Sequence, residues 1–367
     1  MSTLRVEALE QPDGTAFIFN NKNLLINGGM NVWQRSTSQA SISSTSTDGY
    51  VTVDRWTTYN NSLGIWTQSR STDVPSEQGF GYSLKMDCTT ADASPAAGDE
   101  LNIAQLIEAQ NLQHLLFGTS SPKSITLSFW VKSNKTGTYI INIYKTDGGS
   151  RGISKSYTID TANTWEKKEI TFVGDETNAI ANDNGVGLYV NFYLAAGSNY
   201  TSGTLATSWE SLTNANRAVG QVNLADSTSN EWYLTGCQLE VGSTASGFEF
   251  EPYETTENKC FRYYYQKGGD SAYERIGGAY VSASTSSFAD IVHPVKMRVI
   301  PSYSFSSVSD FAIAQPNVRT CTNIGNSHSS TFVGSLSCTA TSMTGGRGAA
   351  LITNNTTSAR FKVDAEL

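Results

Sequence analysis

Three histidines, His114, His293 and His328, are the whole imidazole supply of this 367-residue chain. None stands where a catalytic base or a metal-ligand pair would. Acyl transfer needs a nucleophile, a base within hydrogen-bond reach and a group that orients the base. Gly269-Asp270-Ser271 has the order of one nucleophile motif, but no Asp-x-x-His follows it and no G-x-S-x-G occurs. His293 precedes Pro294 at an expected strand edge and His328 lies among serines, so both are expected at the surface. Zinc would use paired histidines on one helix face and calcium a D-x-D-x-D-G loop. Neither pattern appears, so no metal and no cofactor is expected. The acidic runs NDNG (182–185) and EFEPYE (249–254) offer carboxylates for glycoside hydrolysis, but acids of this kind are common on any surface. The expected chemistry is binding without catalysis, and the chain is not expected to be an enzyme.

The loops carry the chemistry of sugar recognition, in which flat aromatic faces stack on a pyranose beside amide hydrogen-bonders. TTYNNSLGIWTQS (57–69) supplies Tyr59, Asn60, Asn61 and Trp66. GSNYTSGTLATSWESLTNANR (197–217) supplies Asn199, Tyr200, Trp209 and Asn214. Tyr59, Asn61, Trp66, Tyr200 and Trp209 are expected to line a glycan groove. Packing in the core or between subunits is the competing expectation for Trp66 and Trp209.

Short strands must position such loops. Charged residues make up 16% of the chain, below the roughly 25% of a typical soluble domain. Ser, Thr, Asn and Gly fill the remainder, which suits many strands joined by tight turns. GYSLKMDC, SITLSFWVKS, GTYIINIYKT, SKSYTID, WEKKEITFVG, VGLYVNFYLAAG and EWYLTGCQLEVG are each bounded by turn residues. In SITLSFWVKS, Ile125, Leu127, Phe129 and Val131 share one face while Thr126, Ser128 and Trp130 share the other. The stretch 98–118 predicts a strand through about Glu108 and helical turns at Asn111–Phe117. The expected fold class is all-β: an antiparallel β-sandwich, most plausibly a jelly roll, followed by a smaller C-terminal β domain.

Three parts are expected: an arm over residues 1–22, a sandwich over 23–258 and a β tip over 259–367. After residue 268 there is no Trp, and the strands become short and polar-faced, with Tyr280, Phe288 and Tyr303 expected to be exposed. The net charge of −8 argues against nucleic acid, whose binding needs a basic face. The start MSTLRVEALEQ lacks the apolar segment of a secretory signal, and GVGLYVNFYLAAG is too short to span a bilayer, so no membrane insertion is expected. The odd set Cys88, Cys237, Cys260, Cys321 and Cys338 has no C-x-x-C spacing and is expected as buried thiols. Trp33, Arg35, Asp54, Arg55, Trp56 and Glu240 are expected as scaffold. The indoles would fill the space between sheets, and Asp54 and Glu240 are the candidate partners for the two arginines.

Several stretches in order match a known pattern: NLLINGGMNVWQRS, DRW, LSFWVKSNKTGTY, WYLTGCQLEVGSTASGFEFEPYETTENKCFRYY and the closing FKVDAEL. Together they resemble bacteriophage tail-fibre and other virion fibre proteins that carry a carbohydrate-binding jelly-roll module, over roughly residues 23–367. The arm resembles an attachment segment of marine-phage fibres, with Leu4, Val6, Phe17 and Phe19 as its anchoring side chains. The resemblance implies a fibre on the virion surface, assembled in the host cytoplasm. It also implies a homotrimer, an arm held by a tail adaptor, nozzle or capsid protein, and attachment to host-surface polysaccharide. A head fibre or connector without a receptor role is the alternative that the same motifs leave open.

Overall fold

The computed structural model describes residues 22–44 and 47–367. The arm residues Leu4, Val6, Phe17 and Phe19 lie outside them. Twelve strands run through the first part of the chain: β1 (Ser38–Ile42), β2 (Trp56–Asn61), β3 (Ile65–Ser71), β4 (Ser83–Thr90), β5 (Glu100–Glu108), β6 (Ile125–Ser133), β7 (Gly137–Lys145), β8 (Arg151–Ile159), β9 (Glu166–Phe172), β10 (Val186–Ala196), β11 (Glu210–Ser211) and β12 (Glu231–Val241). They form two six-stranded sheets, in the orders β1-β3-β4-β12-β6-β9 and β11-β8-β7-β10-β5-β2, packed as a jelly-roll sandwich. The period-two pattern of β6 holds, because Ile125, Leu127, Phe129 and Val131 are all fully buried in the core. An aromatic chain crosses that core from sheet to sheet. Phe192 of β10 lies 5.9 Å from Trp56 of β2 and 5.2 Å edge-on from Phe129 of β6, with Trp232 of β12 at 6.3 Å. Truncating one such ring to Ala typically costs about 3–5 kcal/mol.

β5 ends at Glu108, and a 3-10 turn follows over Ala109–Leu115, where helical turns were expected from Asn111.

The NGG turn ties the start of the sandwich to its centre. Asn27 is left-handed at φ 58°, a conformation Asn tolerates. Its side chain accepts from the Asn31 and Val32 amides and donates to the Val32 and Asp54 carbonyls. A Cβ on Gly28 would fall 1.9 Å from the Cys237 carbonyl oxygen, so only glycine fits beside the TGCQLE strand. Trp33 donates to the Met30 carbonyl and packs half-buried against the same core.

A nine-residue helix, Tyr253–Phe261, runs across position 259, where the tip was expected to begin. Beyond it come β13 (Tyr264–Lys267), β14 (Arg275–Ala283), β15 (Ser286–Val292), β16 (Ser302–Phe305), β17 (Phe311–Gln315), β18 (Asn317–Thr320), β19 (Asn323–Asn326), β20 (Val333–Thr339), β21 (Arg347–Thr353) and β22 (Phe361–Asp364). They make a three-stranded sheet, β13-β22-β16, and a seven-stranded sheet, β18-β17-β21-β14-β15-β20-β19, around a second core. Tyr280 and Phe288 are exposed there. Tyr303 is not, because it stacks on Phe361 at 5.7 Å. His293 is also buried, against expectation. Its ring turns inward so that Nδ1 sits 2.7 Å from the Tyr265 hydroxyl, and burial lowers its pKa. All five cysteines are buried free thiols.

Arginines join the two parts. Arg35 ion-pairs with Asp54 (3.4 Å), Asp364 (3.3 Å) and Glu366 (3.2 Å), and lies 3.6 Å over the Tyr264 ring. Arg55 pairs with Glu366, donates to the Leu106 carbonyl and lies 3.5 Å over Tyr263. Arg298 donates to the carbonyls of Ala365 and Glu366, and Arg262 reaches both oxygens of Glu108. Asp54 thus serves as an arginine partner, as expected, whereas Glu240 does not. Glu240 accepts from the Ser246 amide and hydroxyl and from Gln238, all within reach of its own strand end.

Candidate functional site

The outer face of the sheet β11-β8-β7-β10-β5-β2 collects tyrosines over a floor of amides. In YVNFY of β10, Val190 and Phe192 enter the core, so Tyr189, Asn191 and Tyr193 point outward. In INIY of β7, Ile141 and Ile143 point inward and Asn142 and Tyr144 outward. Pairing register then aligns them: Tyr189 opposite Tyr144, Asn191 opposite Asn142, and Tyr59 of β2 opposite Asn102 of β5. Tyr144 and Tyr189 are half-buried and stack with centroids 4.2 Å apart and planes 6° from parallel. Asn102, Asn142 and Asn191 are buried beneath the rings, and Asn102 Oδ1 has no hydrogen-bond partner.

The connection from β10 to β12 covers one end of this face. Tyr200 donates to Glu100 Oε1 (3.1 Å), while Tyr193 and Asn102 donate to Glu100 Oε2 (3.3 and 3.4 Å). Arg217 donates from Nε to Asn142 Oδ1 (3.2 Å), and its guanidinium lies 4.9 Å over the Tyr144 ring. Burial pushes the Tyr59 hydroxyl up to about 12, with Tyr189, Asp48 and Glu100 adding to it. Burial also raises Tyr144 and Tyr189. These phenols therefore stay protonated at physiological pH and remain donors. The face offers flat rings, neutral donors, amides and one cation, which is the equipment for holding a polyhydroxylated ring.

The structure brings three of the five glycan candidates together here. Tyr59 lies on the face, Tyr200 caps Glu100, and exposed Asn61 donates to the Gly98 carbonyl at its rim. Trp66 must be withdrawn: it is fully buried in the core and donates to the Leu63 carbonyl, so no ligand can reach it. Trp209 stands apart, at the edge where β11 pairs with β8. It packs edge-on against Phe117 at 5.6 Å and donates to the Val173 carbonyl, which makes it a cover for the core. Sequence reasoning missed Tyr144, Tyr189, Asn102, Asn142, Asn191 and Arg217. The signal was present as asparagines at alternate positions within otherwise apolar strands, where a solvent-facing row is neither charged nor greasy.

The opposite outer face is also aromatic, but it satisfies itself. Trp165 donates to Asp73, Lys132 ion-pairs with Asp73 and lies 4.4 Å over Tyr233, and Lys85 pairs with Glu231 at 2.6 Å. Among the described residues, no group of three or more His, Cys, Asp and Glu side chains is placed to hold a metal ion, and no helix is long and apolar enough to cross a membrane.

No family model and no curated protein matches the chain. Solved structures similar in part include the enzymatically active domain of bacteriophage CBA120 tailspike protein 4, at 15% identity and TM-score 0.31, over 62% of this chain and 23% of that one. TmCBM61, solved with β-1,4-galactotriose, is 12% identical with TM-score 0.27, over 60% and 99%. The C-terminal family 22 carbohydrate-binding module of Clostridium thermocellum Xyn10B is 12% identical with TM-score 0.28, over 60% and 98%. The chain is thus similar over about 60% of its length to carbohydrate-binding modules, and it spans less than a quarter of the tailspike protein it matches.

Proposed function

We propose that this protein binds glycan without cleaving it, through the tyrosine and asparagine face of the sandwich, as a fibre that attaches a bacteriophage to host-surface polysaccharide. One observation carries the binding reading: register stacks half-buried Tyr144 on Tyr189 beside the buried amides Asn142 and Asn191, and Tyr59 of β2 stands further along the same face beside buried Asn102. The virion role is supported by the ordered succession of motifs from NLLING to FKVDAEL. A homotrimer fits the same role, because one sugar site binds weakly and several copies presented together gain avidity.

The test is titration of the intact protein against polysaccharides from host cells, alongside the double variant Tyr144→Ala/Tyr189→Ala. Loss of both rings is expected to weaken binding about five- to 150-fold, since each aromatic contact contributes roughly 0.5–1.5 kcal/mol. Trp165→Ala on the opposite face should change it less than about twofold, a difference below roughly 0.5 kcal/mol. Binding unaffected by the double variant would remove this face from consideration, and new reducing ends during incubation would show that the protein cuts what it binds.

A further inference from the structure

Arg217 is held like a reader. Its Nε is engaged by Asn142 Oδ1, and Asn142 is itself fixed through Nδ2 to the Ile153 carbonyl (3.3 Å) and Ser154 Oγ (3.0 Å). Ser154 Oγ returns a bond to the Arg217 carbonyl at 2.9 Å, so the residue is tied at both ends. The Tyr144 ring supports the guanidinium from below at 4.9 Å, and Tyr193 and Tyr200 flank it at 5.7 Å. Its terminal nitrogens make no ion pair and no hydrogen bond among the described residues. The sandwich arginines Arg35, Arg55 and Arg151 each pair with a carboxylate. Arg70 also lacks one, but it is exposed and rests only on Tyr82, with nothing to fix its direction.

We propose that the glycan bound at this face is acidic, and that a sugar carboxylate, as in a uronic acid, seats on the two terminal nitrogens of Arg217. This rests on the reading of the face as a glycan site. A guanidinium presents two parallel N–H groups matched to a carboxylate, and stacking on an aromatic ring fixes its plane. Glu100 does not compete for the cation, because both its oxygens already accept from Tyr193, Tyr200 and Asn102. The class this selects is a uronate-containing polysaccharide, whose carboxylate matches the guanidinium fork.

The experiment titrates the intact protein against a panel of uronate-containing bacterial polysaccharides, each beside its carboxyl-reduced counterpart. Arg217→Gln and Tyr144→Ala/Tyr189→Ala are run on the same panel. The expected result is a preference of at least tenfold for the acidic member, reduced to less than about threefold in Arg217→Gln, with unchanged thermal unfolding. Equal binding of acidic and reduced members, or a preference that Arg217→Gln retains, overturns the carboxylate assignment while the face stands if the tyrosine variant still abolishes binding. Binding of neutral polysaccharides alone overturns it in the same way. Binding that survives loss of the tyrosines, or no binding to any member, overturns the face itself.

Discussion

Arginine lies on tyrosine in two regions of this molecule, with opposite outcomes. At the junction of sandwich and tip, Arg35 and Arg55 sit 3.6 and 3.5 Å over Tyr264 and Tyr263 and are met by Asp54, Asp364 and Glu366. Both are buried or nearly so, and each is met by at least one carboxylate of this chain. On the outer face of the sandwich, Arg217 sits 4.9 Å over Tyr144 with an amide as its one side-chain acceptor and its terminal nitrogens open. The side-chain pair is the same; the number of carboxylates around it decides whether the cation is closed off or left open. A buried cation must be neutralised where it sits, whereas a half-exposed one can wait for its anion in water.

The strongest way to break this comparison is at the junction. Glu366→Ala leaves buried Arg55 without its carboxylate, and loss of one member of a buried pair costs about 3–5 kcal/mol. Urea unfolding should show that loss, and a change below about 1 kcal/mol would mean the junction is not cemented by charge. Asp54 sharpens the same point through pH. Burial pushes its carboxyl up to about 6, against the pull of Arg35 and of the Gln34 hydrogen bond. The folded protein therefore holds that proton more tightly than the unfolded chain does. Its stabilising contribution is complete below about pH 4 and is lost as the pH rises through 6, up to about 3 kcal/mol in all. Asp54→Asn should flatten that portion of the melting-temperature profile, whereas an unchanged slope would place the titration elsewhere. The smallest effect is expected at the open end of the comparison. Arg217→Ala removes the hydrogen bond to Asn142 and the contact with Tyr144 but strands no buried charge, so the same urea unfolding should show a loss of about 1 kcal/mol.

Much of the fold was legible in the sequence because a half-buried strand writes its geometry as strict alternation. Ile125 through Val131 and the turn at Asn27-Gly28 are where the pattern and the structure agree. Trp66 misled because its neighbours Thr67 and Gln68 are polar on both faces of β3. Gln68 is itself buried, bonded to Thr52 and Thr58, so alternation gave no sign of which side was core. The site was half legible. Tyr59 and Tyr200 stood out by composition in stretches read as loops, although Tyr59 lies in β2 and Tyr200 in a short helix, whereas Tyr144 and Tyr189 become a stacked pair only once β7 and β10 are placed in register. Partner identity over long separations was the least readable. Glu240 was a candidate from within the sandwich, yet the acid that meets Arg55 is 311 positions further along the chain, beyond the sandwich altogether.

That last separation has a consequence for how the molecule is made. Every strand of the sandwich leaves the ribosome before Asp364 and Glu366 do, so the nascent module carries two cations in a half-built seam until those carboxylates arrive. Cutting the chain near residue 258 to harvest the sandwich alone would recreate that unfinished state permanently, and an excised module should be handled as an incomplete fold, not as a finished domain.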